Sequence, residues 1–161
     1  MKLFLSIFLF LSLSNTPEIT DIRKMYSSVA NTESNTKEFA SKLADVTKED
    51  NKTLVAYKGA SIVALSRYKK EISDKSKNFK EGAKMIEFAV ASEPNNIEIR
   101  LIRFSIQEKA PKILKYNANK KEDKNFLLDH YKEQSGNLKA YIKNFILQSK
   151  SFSTAEKQTL N

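Results

Sequence analysis

The sequence predicts an all-α fold, a single domain of about six to eight antiparallel packed helices behind an N-terminal signal peptide. Apolar side chains recur every third or fourth residue along nearly the whole chain, which is the spacing of one helix face. Three glycines and three prolines in 161 residues leave few turn signals. Strand-like alternation is confined to 97–101. Because Leu101-Ile102 breaks that alternation and no partner strand is available, we assign this stretch to a helix as well.

Residues 1–14 have the features of a signal peptide. Lys2 provides the positive start, residues 3–13 are apolar apart from two serines, and Ser12-Leu13-Ser14 provides the small-residue pattern for cleavage near Ser14. The alternative is a membrane anchor, but a spanning helix needs roughly 20 apolar residues and this run is much shorter. We therefore expect a mature domain over 15–161 that is periplasmic or secreted and has no transmembrane span.

Four helices are predicted before Pro94. Thr16 is suited to cap the first helix and Pro17 to take its first position. Small residues around Gly59 mark a point where another helix can approach closely. Polar stretches at 31–35, 48–51 and 73–77 separate these helices, so that the third runs over about 52–72 and the fourth over about 78–92.

The fifth helix, from Ile97 to about Glu108, is predicted to be the buried centre of the domain. Its apolar residues point in almost every direction, and a helix that is apolar nearly all round is buried. Ala110-Pro111 ends it, and an apolar patch at 113–116 and a polar connection at 117–123 follow. The remaining helices are expected around Phe126 to Tyr131, around Leu138 to Ile146, and from Ser153, where Ser153-Thr154-Ala155-Glu156 matches a capping box.

The spacing of Gly82, Ile86, Ala89 and Pro94 resembles the second helix of a tetratricopeptide repeat and its closing turn, over residues 82–96. No second copy occurs at the repeat's roughly 34-residue period, so the resemblance implies a divergent helical hairpin, not a repeat array. It also implies that a protein or peptide partner is held in a groove between helices. The stretch 79–108 is similar to a family of uncharacterised exported bacterial proteins, which brings no assigned activity.

The charge and composition narrow the classes of partner. The formal net charge is +9, and it comes mainly from lysine, since the chain has four arginines. Such a diffuse positive field favours weak attraction to anionic lipid or polysaccharide. We do not expect nucleic acid as a partner, because the chain is predicted to be exported and has no arginine-rich cluster or aromatic-basic motif. The absence of cysteine excludes disulfides, thiolate metal sites and a cysteine nucleophile.

The candidate binding residues are two of the four arginines and their neighbours. Arg100, Arg103 and Gln107 share one face of the fifth helix at i, i+3 and i+7. One interpretation is a clamp for an anion or a terminal carboxylate, because arginine binds such groups with two parallel hydrogen bonds. The alternative, which we favour, is pairing with an internal carboxylate from Glu81, Glu87 or Glu98. Two tyrosines, Tyr57 and Tyr116, either line a binding groove or lie at the core boundary.

We predict no catalytic residues, no metal site and no cofactor, and hence no enzyme. His130 is the single histidine, and we expect it on the surface or at a helix end. No nucleophile elbow, phosphate-binding loop, dinucleotide-binding motif or EF-hand loop occurs. The preferred hypothesis is an exported interaction module that binds a protein or peptide. The alternatives are an envelope-associated structural protein held by its lysines, and an enzyme that uses acidic residues in a deep pocket.

Overall fold

A computed structural model describes residues 16–160 and shows eight α-helices with two short 3-10 helices. No strand occurs in these residues, so the all-α prediction is confirmed. No helix within 16–160 combines the length and the apolar character that crossing a bilayer requires. The helices are α1 (Ile19–Ser28), α2 (Glu33–Lys42), α3 (Lys52–Ser66), α4 (Ile72–Ser92), α5 (Ile97–Lys109), α6 (Lys120–His130), α7 (Gly136–Gln148) and α8 (Thr154–Gln158), with the 3-10 helices at Lys112–Leu114 and Tyr131–Glu133.

Helix α5 is the centre of the domain, as its apolar pattern predicts. It packs against α3, α4, α6 and α7, and most of its side chains are buried, including several charged ones. The side-chain oxygen of Asn96 accepts hydrogen bonds from the backbone N–H groups of Glu98 and Ile99 and so caps the helix start. The helix ends at Lys109, directly before Ala110 and Pro111.

Helices α3 and α4 form an antiparallel hairpin whose contact is the most extensive between any two helices in the described residues. Two glycines face each other where the helix backbones meet. A Cβ atom on Gly59 would lie 2.6 Å from the Gly82 carbonyl oxygen and 2.8 Å from Cγ1 of Ile86. A Cβ atom on Gly82 would in turn overlap the Gly59 carbonyl oxygen. The close approach expected around Gly59 is therefore confirmed, and Gly82 is its partner.

Two hydrophobic cores share α5, which makes the described residues one packed unit. The first core lies among α1 to α5 and includes Ile99 and Ile102. The second lies among α5, α6, α7 and the C-terminal segment and includes Leu101 and Phe104. The other fully or nearly buried members of the second core are Ile97, Leu127, Tyr131, Ile142, Ile146, Phe152 and Leu160.

The start of the chain and the polar breaks differ from the prediction. Helix α1 begins at Ile19, two residues beyond Pro17, and its N-cap Glu18 makes no side-chain cap, so Thr16 is not the cap. Thr32 caps α2 from within the predicted break, through a bond from the backbone N–H of Asn35. The polar residues there are helix-capping and first-turn residues, which prefer the same residue types as loops.

The predicted loop at 73–77 is wrong, because α4 begins at Ile72 and α3 already ends at Ser66. With Gly82 opposite Gly59 and Val63, the first turns of α4 extend beyond the end of α3 and are exposed, which explains their polar composition. In the same way α6 begins at Lys120, inside the connection predicted at 117–123. The capping box at Ser153 is confirmed, since both of its hydrogen bonds are present.

Candidate functional site

Arg100 faces the interior of the domain. Its Nε donates to the Pro94 carbonyl oxygen at 2.8 Å, and its Nη1 donates to Glu122 Oε1 at 2.5 Å and to Asp123 Oδ1 at 3.0 Å. The guanidinium also lies over the Phe126 ring, 4.4 Å from its centroid. Its bond to Glu122 lowers the pKa of that carboxyl group. Arg100 therefore connects the start of α5 to α6.

Arg103 lies one helical turn further along and binds the same buried carboxylate. Its Nε and Nη2 donate to Oδ2 and Oδ1 of Asp123, each at 2.7 Å, and its Nη1 donates to Glu87 Oε2 at 3.0 Å. Burial acts to lower the pKa of Arg103, but the bonds to Asp123 and Glu87 outweigh it, so the pKa is raised. We call Arg100, Arg103, Asp123, Glu122 and Glu87 the inner arginine cluster.

These contacts match internal pairing, the second of the two interpretations of the arginine face. Glu87 is one of the three carboxylates proposed from sequence, whereas Glu81 and Glu98 are not partners of either arginine. Asp123 has no exposed surface, and no sequence pattern indicates its role as a partner of the two arginines. Asp123 lies on α6, so it can be recognised as a partner of Arg100 and Arg103 only when α5 and α6 are known to pack together.

Gln107 does not join the arginines in a shared site. Its side chain is buried, with 3% of the residue exposed, and it forms no side-chain hydrogen bond with Arg100 or Arg103. Its Oε1 is buried without a hydrogen-bond partner among the described residues. It also does not line either of the cavities described below.

Tyr57 lies in the first core and is fully buried, so it neither lines an open groove nor lies at the core boundary, the two places expected from sequence. Its hydroxyl donates to Glu98 Oε1 at 2.6 Å, and Arg23 donates to both oxygens of the same carboxylate at 2.8 and 2.7 Å. Burial, with the nearby Tyr141 and Glu98, raises the pKa of Tyr57 well above its usual value. We call Arg23, Tyr57 and Glu98 the Glu98 cluster; it connects α1, α3 and α5.

Tyr116 lies at the core boundary. Its hydroxyl donates to Glu87 Oε1 at 2.5 Å, and its ring meets Phe79 edge-on with the centroids 5.6 Å apart. Burial, together with Glu87, raises the pKa of Tyr116. The side chain lines a shallow hollow of about 380 Å³ with Phe79, Ala83 and Leu114. Tyr116 therefore supports the inner arginine cluster from outside, and the other predicted binding residues do not reach this hollow.

His130 is the last residue of α6, as expected of a helix-end histidine. Its Nδ1 lies 2.9 Å from Glu133 Oε2, and its ring packs on Phe126. Within residues 16–160 no group of three or more histidine or carboxylate side chains is arranged to hold a metal ion.

A large groove lies between α1 and α7, with a volume of about 1480 Å³. Side chains of α3 and α5 line its floor, including Ala64, Ser105 and Ile106. The first turns of α4 and the segment after α5 line one end. None of the predicted binding residues Tyr57, Arg100, Arg103, Gln107 or Tyr116 lines this groove, so sequence reasoning missed it.

The groove carries two exposed isoleucines. Ile72 is 83% exposed and Ile113 is 87% exposed, far more than any other large apolar residue in the described chain. Both line the same groove, at the start of α4 and in the 3-10 helix after Pro111. Scattered apolar residues are common on protein surfaces, but apolar residues gathered in a concave surface mark interaction sites.

Three cations surround this end of the groove. Arg67 follows α3, Lys75 is in the first turns of α4, and Lys109 ends α5; all three line the groove and form no ion pair with any described residue. Glu108 is the single carboxylate among the described lining residues, and it accepts a 2.5 Å hydrogen bond from Ser149. This end of the groove therefore has a positive excess.

The α7 wall carries three amide side chains at helical spacing. Asn137, Asn144 and Gln148 are exposed, line the groove, and form no side-chain hydrogen bond with any described residue. Tyr141 lies between them on the same wall. Spacings of seven and four residues place the amides along one helix face, so the wall offers a row of polar donors and acceptors.

Comparison of the chain with protein-family models, with curated proteins and with solved structures gave no match. The candidate site is therefore defined by the chain's own residues. It is an apolar groove with two exposed isoleucines, three cations at one end and amides along one wall.

Proposed function

We propose that the chain is an exported helical interaction module that binds a protein or peptide partner in the groove between α1 and α7. The observation that carries the proposal is the exposure of Ile72 and Ile113 on one concave surface. Apolar surface removed from water contributes about 25 cal/mol per Å², so a partner that covers both side chains gains affinity from them directly.

The pairing of Arg100 and Arg103 with carboxylates inside the domain supports the same proposal, because it leaves neither arginine available to a ligand. The carboxylates of the inner arginine cluster and of the Glu98 cluster already satisfy three of the four arginines. A ligand that displaced either set would leave buried charges without partners, which costs several kcal/mol. Binding at the end of the groove needs no such rearrangement, because Arg67, Lys75 and Lys109 and the amides of α7 have free hydrogen-bonding capacity. The proposal accordingly includes no catalytic step, no metal and no cofactor.

Site-specific photo-crosslinking in cells tests this function. A photoreactive amino acid in place of Ile113 is expected to give a discrete adduct with one partner protein. The matched control carries it in place of Asp129, an exposed residue of α6 that does not line the groove. The adduct at position 113 is expected to disappear in an Ile72→Asp background. Equal adducts at both positions, or no adduct at position 113, would overturn the proposal.

Export is part of the proposal and has its own test. Residues 1–14, which carry the signal-peptide features, lie outside the described residues. N-terminal sequencing of the protein from the periplasm or medium is expected to begin at Asn15. A cytoplasmic protein that retains Met1 would contradict export without affecting the groove.

The second candidate is an envelope-associated structural protein attracted to anionic lipid or polysaccharide. Among the described lysines other than Lys143, those that form ion pairs with carboxylates are Lys24, Lys37 and Lys124, so no carboxylate neutralises most of the lysine charge. Such binding should weaken as salt is raised, because exposed charges are screened within roughly 10 Å at 0.1 M salt. Salt-insensitive retention on anionic vesicles and on cell-wall polysaccharide would exclude this candidate.

A further inference from the structure

We infer that the partner segment is an acidic amphipathic α-helix, an inference that rests on the proposed function and names the chemistry of its ligand. Four features of the groove lead to this partner: the character of its backbone, its volume, its charge and the polarity of its α7 wall.

The backbone of the groove favours a helical partner. An extended peptide gains most from an apolar groove when its N–H and C=O groups can pair with an exposed strand edge. Residues 16–160 contain no strand, and helices form most of the groove. Helical backbone groups already bond within their own helix. A helical segment satisfies its own backbone and therefore loses least on entering this groove.

The volume fits a short helix. A helix of about 10 Å diameter that rises 1.5 Å per residue occupies roughly 120 Å³ per residue. The groove of about 1480 Å³ therefore holds about 12 residues, or three turns. Three turns present apolar side chains at i, i+3, i+4 and i+7, so one face of such a helix can pack on the apolar side chains of the groove.

The charge selects acidic residues on that helix. Arg67, Lys75 and Lys109 meet at one end without carboxylates of their own, and Glu108 is the one acidic side chain in the described lining. Carboxylates flanking the apolar face would pair with these cations and accelerate association. The amides of Asn137 and Asn144 on the α7 wall suit polar side chains at the edge of the same helix, whereas an acyl chain that covered them would leave them without partners.

Two other occupants fit less well. Residues 1–15 contain no acidic side chain, so this segment offers nothing to the three cations. A second copy of the chain carries the same net charge of +9 and would be repelled. Both remain distinguishable outcomes of the test below.

The test is fluorescence anisotropy with the purified full chain and four designed 18-residue peptides. One peptide is amphipathic and acidic, with leucine on one face and glutamate beside it. The others replace every glutamate by glutamine, replace every glutamate by lysine, or scramble the acidic sequence so that no apolar face remains. We expect the acidic amphipathic peptide to bind, the glutamine version to bind about tenfold more weakly, and the other two to show no saturable binding.

Charge reversal identifies the site. The triple variant Arg67→Glu, Lys75→Glu and Lys109→Glu is expected to lose about 100-fold in affinity for the acidic peptide and to gain affinity for the lysine version. The matched control reverses Lys42, Lys121 and Lys132, exposed lysines away from the groove, and so makes the same change in net charge. An equal loss in both variants would overturn the inference, because it would mean that only overall charge matters.

The remaining outcomes separate this inference from the proposed function. If the crosslink at Ile113 captures a partner but the acidic peptide neither binds nor competes, the groove function stands and the acidic helix is wrong. If anionic vesicles bind through Arg67, Lys75 and Lys109 and the acidic peptide does not, the ligand is a lipid surface and the inference is overturned. If the partner captured is the chain itself, the groove binds a second copy and the inference is overturned. If a peptide of residues 1–15 competes, the groove binds the chain's own N-terminal segment, and the inference is overturned as well.

Discussion

Arg103 and Arg67 show two different uses of the same side chain. Arg103 is 4% exposed and has the carboxylates of Asp123 and Glu87 around it, whereas Arg67 is exposed and has no ion-pair partner among the described residues. The difference follows from burial, because a charge removed from water must find an internal partner and an exposed one need not. The buried charged residues of α5, Glu98, Arg100 and Arg103, therefore hold the fold together, and the exposed cations of the groove are free to bind another molecule.

The two buried charge clusters differ in how many guanidinium groups one carboxylate binds. In the Glu98 cluster a single arginine and a tyrosine hydroxyl bind one carboxylate. In the inner arginine cluster Asp123 binds two guanidinium groups through three hydrogen bonds and is fully buried. Asp123 is therefore the charged residue whose loss leaves the most buried charge without compensation.

Replacement of Asp123 by asparagine should give the largest effect. It removes the negative charge between Arg100 and Arg103 and leaves an amide of nearly the same shape, so the cost is electrostatic. We expect a loss of about 3–5 kcal/mol in the free energy of unfolding, measured by urea denaturation. The matched control is Glu122→Gln, since the Glu122 side chain is 58% exposed and should cost less than about 1 kcal/mol. Equal effects would mean that Asp123 is not the central charge.

Gly59→Ala should have the next largest effect and tests packing instead of charge. In an exposed helix this change stabilises by about 1 kcal/mol. Here the added Cβ would meet the Gly82 carbonyl oxygen at 2.6 Å, so α3 and α4 must separate. We expect a net destabilisation of about 1–3 kcal/mol in urea denaturation. Gly136→Ala is the control: nothing lies within 4 Å of its Cβ, and the strain comes only from its φ of +55°. A stabilised Gly59→Ala would show that the hairpin is not packed at this point.

The sequence predicts which helix is buried and where two helices approach closely, but it does not predict which charged residues pair. The buried α5 and the close approach at Gly59 follow from local composition. A helix that is apolar all round is buried, and a small residue allows another helix to approach closely. The partners of Arg23 and Arg103 lie 75 and 20 residues away along the chain. Such pairings depend on which helices adjoin, and spacing within one helix carries no information on that.

The groove was missed for a related reason. A pattern of apolar residues predicts what is buried, and the spacing places Ile72 at the end of the predicted third helix, whereas it is 83% exposed at the start of α4. Ile113 falls in a predicted apolar patch but points outward in the same way. Only the relative positions of α1, α4 and α7 show that these residues share one concave surface with Arg67.

A tyrosine beside the groove gives a smaller effect that depends on pH. The hydroxyls of Tyr26 and Ser105 share a 2.6 Å hydrogen bond, and burial raises the pKa of Tyr26 to about 12. The pKa of Tyr26 in the folded chain lies above the unfolded value of about 10. The contribution of Tyr26 to the free energy of unfolding is therefore complete below pH 10 and is lost as the pH rises towards 12. Between about pH 9 and pH 11 we expect the free energy of unfolding to fall by about 1 kcal/mol less in Tyr26→Phe than in the unmodified chain. The measurement is urea denaturation across this range; parallel curves would contradict it.

The smallest expected effect tests the comparison between Arg103 and Arg67 most directly. Arg67→Met removes an exposed guanidinium that pairs with no described carboxylate, so the free energy of unfolding should change by no more than about 0.5 kcal/mol. Arg103→Met leaves Asp123 and Glu87 facing an apolar side chain and should cost about 3 kcal/mol or more. The two variants make the same chemical change, so any difference in urea denaturation reports the surroundings alone. If Arg67→Met destabilises as much as Arg103→Met, Arg67 has an internal partner. The end of the groove would then lose the free charge with which an acidic helix is expected to pair.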